Sequence, residues 1–178
     1  MEMSTVAVSL SRFIRNVSAI YAEHPTYREG GIAKDGTCDC VGEIIAAMTR
    51  AGHAMYELKY SNYFARRQIE DMVCDISESD VYVGMVVFKR RYEGDTRYKL
   101  PDRDNVGGRY YNGDLTDYYH IGVVTGIDPL VIIHCTSGDG VNGTTKDYKL
   151  GSWSYGGRLK GVDYGDYIPI GEGEYSIG

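Results

Sequence analysis

The spacing of apolar residues changes part-way along this chain, and that change limits what it can fold into. Val6, Leu10, Phe13, Ile14, Val17, Ile20 and Tyr21 recur at steps of three and four, which is one face of an amphipathic helix over Ser4 to Glu23. Ser4 or Thr5 would cap that helix, and Pro25 lies just past its end. Val41 to Arg50 repeats the pattern, with Ile44, Ile45 and Met48 on one face, Ala46 and Ala47 as helix formers, and Gly52 as a stop. Ser61 to Val73 predicts a third helix capped by Ser61, with Arg66, Arg67, Glu70 and Asp71 as its solvated face and Cys74 as a structural residue after it. His24 and His53 fall in exposed connections. From Val81 the residues become β-branched and aromatic, and Val81 to Phe88 predicts a strand. Tyr118 to Gly126 and Leu130 to Thr136 predict two more, joined by the tight turn Gly126-Ile127-Asp128-Pro129 and therefore antiparallel. Asp147 to Ile170 has room for one or two further strands.

The 178 residues suit a single domain over 1–170 with 171–178 as a flexible tail. A length of this order buries a core without staples. The net charge of −6 argues against a nucleic-acid partner, which needs a basic face. Four cysteines, Cys38, Cys40, Cys74 and Cys135, make neither a disulfide framework nor a zinc pattern, so the reduced state is expected and no metal or cofactor is implied. Met1 to Arg15 lacks the features of a signal peptide, and no window is long and apolar enough for membrane insertion. Synthesis in the cytoplasm is the expectation. The polar stretch Lys89 to Asp117 is too long for an ordinary connection, and we expect an excursion beside the functional groove.

Within this frame Cys40 stands where a loop becomes a helix. A helix start presents unpaired N–H groups and the positive end of the macrodipole, and both favour the thiolate, the nucleophilic form. A lone cysteine more often packs as a small hydrophobe, so its partners matter. His120 and His134 lie on the two strands of the predicted hairpin and can face one side as cross-strand neighbours. A thiol, an imidazole base and a second polar ring that fixes the base's tautomer make up the triad logic in its cysteine form. Ahead of the cysteine, Tyr27 and the Gly30-Gly31 pair form a loop whose backbone can approach another surface closely.

Tyr27-x-x-Gly30-Gly31, then Asp39-Cys40-Val41-Gly42 opening a helix, then Val83 to Phe88, His120-Ile121-Gly122 and Ile132-Ile133-His134, in that order, resemble the NlpC/P60 cysteine peptidase family. The resemblance implies an α+β, papain-like fold with N-terminal helices packed on a small antiparallel sheet. It implies one catalytic domain in which Cys40 is the nucleophile, His120 the base and His134 its orienter, with Tyr27 and Asp39 binding substrate. The implied reaction is hydrolysis of peptidoglycan stem peptides after D-glutamate, at the cell wall, by a secreted or phage-associated protein. Two positions depart from the family pattern. Val41 replaces a serine, which removes a hydroxyl contact to substrate, and Met85 replaces an aspartate. Two other readings are weighed beside it: a CHAP-type amidase or endopeptidase, and a non-catalytic module of a phage tail or secretion assembly with a vestigial triad.

Overall fold

The computed structural model of the protein describes residues 6–55 and 60–165, together with the backbone of 168–170 and 174–176. In chain order the elements are β1 (Val8–Ser9), α1 (Leu10–Ala22), β2 (Thr26–Tyr27), β3 (Thr37–Cys38), α2 (Cys40–Arg50), α3 (Ser61–Arg67), β4 (Ile69–Cys74), β5 (Val86–Arg91), β6 (Asp117–Ile127), β7 (Leu130–Thr136), β8 (Gly143–Asp147), β9 (Trp153–Leu159), β10 (Val162–Asp163), β11 (Ile168–Ile170) and β12 (Glu174–Ser176). Six strands form one sheet in the order β4-β9-β5-β6-β7-β8, antiparallel throughout. The expected hairpin is β6–β7. Of the expected tail, 174–176 pairs with β11, and the remaining residues of 171–178 lie outside those described. No helix among the described residues is long and apolar enough to cross a membrane.

Alternation along the strands sorts the core into two layers. Val86, Phe88, Ile121, Val123, Ile133, Tyr155 and Leu159 face α1 and α2, meeting Phe13, Val17, Ile20, Ile44 and Met48. Met85, Val87, Val124, Ile132 and Trp153 face the other way and are covered by Ile76 and Val81 from the chain before β5. Burying both faces explains why β5 and β6 read as near-continuous apolar runs rather than alternating ones.

Four expectations shift. The first helix starts later, because Val8–Ser9 is extended and pairs with β10; Ser9, rather than Ser4 or Thr5, is its cap, accepting from the Arg12 N–H at 3.3 Å. The third helix stops at Arg67. Ile69 to Cys74 instead forms an edge strand on β9, with a bulge between Glu70 and Val73, so pairing overrides a pattern that fits either structure. Cys74 is consequently exposed rather than structural. The strand expected from Val81 begins at Val86, because Gly84 turns the chain at φ +90° with Leu10 packed against it. His24 is exposed as expected, whereas His53 is half-buried, with its Nδ1 3.3 Å from the Val6 carbonyl.

The long connection runs over 92–116 and is tied down by α3. Arg66 donates to the carbonyls of Asp114 and Thr116 at 2.7 and 2.9 Å, and Asn62 donates to Asp117 at 2.9 Å. These bonds fix the chain where it enters β6, three residues before His120.

Candidate active site

Asp39 is the N-cap of α2. One carboxylate oxygen accepts from the Gly42 N–H at 2.6 Å and the other from the Gly30 N–H at 2.7 Å. One side chain thus caps the helix and fastens the glycine loop to it. Burial raises its pKa, and the two backbone bonds work against that rise. The contact is tight: a Cβ on Gly42 would stand 1.7 Å from the Gly31 carbonyl oxygen, which itself accepts the Asp39 N–H at 3.1 Å. The same loop carries Tyr27, paired with Cys38 between β2 and β3. Burial first, then the nearness of the ionisable groups of Cys40 and Asp39, pushes its hydroxyl up to about 12, so Tyr27 is a neutral donor near the cysteine.

Cys40 is the first residue of α2, and its own N–H makes no hydrogen bond among the described residues. The backbone N–H of Ile121 on β6 is near enough to its sulfur to favour the thiolate. The sheet opens at this point. The β6–β7 ladder runs from Ile127↔Leu130 to Val123↔Ile133 and ends there, while β6 stays on β5 and β7 stays on β8. The helix start reaches the sheet where those two strands part. The expected lowering of the thiol pKa is overturned: burial pushes Cys40 up to about 12, with the Asp39 charge adding to it and the Ile121 and Val41 N–H groups offsetting only part. Placement at a helix start is real, but desolvation outweighs the dipole.

His120 and His134 share the sheet face that also carries Val124 and Ile132, opposite the helix-side core. His120 Nε2 lies 2.8 Å from His134 Nδ1. Beyond them, His134 Nε2 stands 3.1 Å from Asp147 Oδ1, with the ring N–H aimed off the oxygen, and Trp153 Nε1 donates to Asp147 Oδ2 at 2.9 Å. The Trp153 indole stacks on His120 at 5.4 Å and meets His134 edge-on at 5.1 Å. Gly122 makes the stack possible, because a Cβ there would come within 2.9 Å of the indole.

This chain of contacts orders the protons. The Trp153 and His134 contacts, working against burial, hold Asp147 below the usual carboxylate range, so it is an acceptor. The charge of Asp147, 3.1 Å from Nε2 though not in line for a hydrogen bond, favours the His134 proton on Nε2 and so a lone pair on Nδ1. His120 donates to that lone pair from Nε2, which leaves its Nδ1 as the free base. Burial pushes His120 down to about 3, aided by the charges of His134 and Lys89, and burial also lowers His134. The resting pair is therefore a neutral thiol and a neutral imidazole. No hydrogen bond joins Cys40 to either imidazole among the described residues.

The structure thus brings His120 to His134, and Tyr27 and Asp39 to Cys40. The Ile121 N–H that acts on the sulfur belongs to the residue after His120. Sequence reasoning misses Asp147 and Trp153; the signals for Trp153 are that it is the sole tryptophan and that a glycine follows His120 by two residues. Cys135, next to His134, points the other way, is buried, and donates to the Cys38 carbonyl at 3.2 Å. Among the described residues no cluster of His, Cys, Asp and Glu side chains can hold a metal ion.

No family model matches the sequence, and no curated protein matches it. Among solved structures, NlpC1 from Trichomonas vaginalis superposes with a TM-score of 0.50 at 15% identity, over 83% of this chain and 44% of that one. The fold is that of the NlpC/P60 proteins. A lipoprotein-like protein of the NLP/P60 family from Staphylococcus aureus superposes at TM-score 0.48 and 15% identity, over 83% of this chain and 41% of its own. The chain spans less than half the length of either. The NlpC/P60 fold accounts for the helices preceding the sheet and for the antiparallel order of the strands.

Proposed function

We propose that this protein is a cysteine peptidase that hydrolyses amide bonds in peptidoglycan stem peptides, cutting after D-glutamate. The line from Trp153 through Asp147 and His134 to His120 carries the reading, because it leaves a lone pair on His120 Nδ1, on the residue before the Ile121 N–H that acts on the Cys40 sulfur. The NlpC/P60 fold supports the substrate class.

In the proposed reaction His120 Nδ1 takes the thiol proton as the sulfur attacks the amide carbonyl carbon. The carbonyl π pair moves onto oxygen. The unengaged Cys40 N–H and the neutral Tyr27 hydroxyl donate to that oxyanion. Collapse breaks the C–N bond, and the imidazolium gives its proton to the leaving amine. Water then attacks the thioester with His120 again as base, releasing the acid and restoring the thiol. Asp147 favours the imidazolium through His134 during both transfers. Asp39 already holds two backbone N–H groups, so its remaining lone pairs are what a substrate amine would meet.

Purified sacculi incubated with the protein and analysed by mass spectrometry test this. Fragments ending in D-glutamate are expected, and both Cys40→Ala and His120→Ala should abolish them. Intact stem peptides with the unaltered protein would leave a binding or assembly module; cleavage at the glycan–peptide amide would identify an amidase instead.

A further inference from the structure

Lys89 lies directly across from His120 in the β5–β6 ladder, on the same face of the sheet. Its ammonium stands 4.9 Å over the Trp153 ring, the indole that also stacks on His120. The residue is half-buried, and its ammonium enters none of the ion pairs or side-chain hydrogen bonds among the described residues. Among the described residues the acid on this face is Asp147, which accepts from Trp153 through Oδ2 and stands 3.1 Å from His134 Nε2 through Oδ1; the lysine's charge favours its carboxylate without pairing with it. The other charged or titratable groups on this face are His120 and His134, and the lysine's charge disfavours protonation of both. The next two cations behave differently. Arg90 stacks on Tyr92 at 3.9 Å, and Arg91 stacks on Tyr119 at 3.7 Å while donating to the Arg97 carbonyl.

A half-buried ammonium beside a base is costly in the empty site, since it works against imidazolium formation. A carboxylate seated on it removes that cost and gains a charge-assisted hydrogen bond in a partly dry setting. We infer that Lys89 anchors a carboxylate of the substrate next to the scissile amide, so the protein discriminates stem peptides with a free carboxylate there from those bearing a carboxamide. The inference rests on the peptidase reading for its substrate, and it makes Lys89 a specificity-determining residue.

Two synthetic stem peptides, identical except for a free α-carboxylate or a carboxamide on the D-glutamyl residue, provide the probe. They are titrated calorimetrically into the full chain carrying Cys40→Ala, which prevents turnover. The acid is expected to bind about tenfold more tightly than the amide. Lys89→Gln in that background should bring the acid to the affinity of the amide and leave the amide unchanged, while Lys89→Arg keeps the preference. With Cys40 intact, Lys89→Gln should raise KM for the acid and leave KM for the amide unchanged. Equal affinities for the two peptides in the Cys40→Ala chain would overturn the inference, as would a loss in Lys89→Gln shared equally by both. Discrimination in binding without cleavage by the Cys40 chain would keep the carboxylate site and remove the peptidase reading instead.

Discussion

Desolvation and helix geometry pull the Cys40 thiol in opposite directions, and desolvation wins. The consequence is measurable. With the thiol near 12 and His120 near 3, the neutral pair persists across the whole working range. His120 is depressed, so it charges only on strong acidification. We expect kcat/KM to change less than about threefold between pH 5 and pH 9, where a histidine at its ordinary value would lose about 30-fold at the acid end. A bell centred near neutrality would contradict a resting pair of neutral thiol and neutral imidazole. Alkylation of Cys40 should be slow at neutral pH, and because Cys74 is an exposed thiol the labelled site must be identified by peptide mapping. Asp147 is a positioning residue acting through His134. Asp147→Asn should lower kcat about 100-fold with KM nearly unchanged, because an amide can present its N–H to His134 and reverse the tautomer order. It should also move the pH profile, which a purely structural loss would not. Cys40 and the two histidines are legible as residues because their chemistry is rare and their spacing matches a helix start and a hairpin. Asp147 is not, since one aspartate among many becomes special only through what stands 3.1 Å away.

Elements meet in this fold through glycines as much as through side chains. The start of α2 and the Tyr27–Gly31 loop interlock at Gly42 and Gly31, with no room for a methyl group between them. Gly42→Ala must push the loop away or shift the helix, and overpacking of this kind costs about 1–3 kcal/mol. The melting temperature should fall by about 3–10 °C, and kcat should fall with it, because the same contact sets Tyr27 against Cys40. Thermal melts and steady-state kinetics on one preparation check both, and an unchanged melting temperature would show that the loop is not clamped. Periodicity places α1 and α2 closely, since a long amphipathic stripe has one reading. It misses the break at Gln68, where Ile69 to Cys74 fits helix or strand and the edge of β9 decides.

Across the whole molecule, α2 presents not only its aliphatic residues but also Glu43 to the core. Glu43 lies one turn beyond Cys40, is fully buried, and neither carboxyl oxygen has a partner among the described residues. Burial, with Cys135 nearby, raises its pKa well above the ordinary value. A carboxyl raised on folding contributes stability that is present below its unfolded value of 4.5 and lost as pH rises through the folded one. Measured from pH 9 down to pH 5, the melting temperature of the parent should therefore rise relative to Glu43→Gln, by about 3 °C or more. Parallel curves would place Glu43 in water. The order of residues alone dictates the first two helices and the β6–β7 hairpin, that a cysteine opens the second helix and that two histidines share one hairpin; these are local matters of spacing and turn chemistry. Folding in three dimensions adds that β6 and β7 part beside the sulfur, that Asp147 and Trp153 back the histidines, and that burial rather than the helix dipole governs the thiol. Those depend on which distant residues exclude water from one another, and spacing along a chain does not encode that.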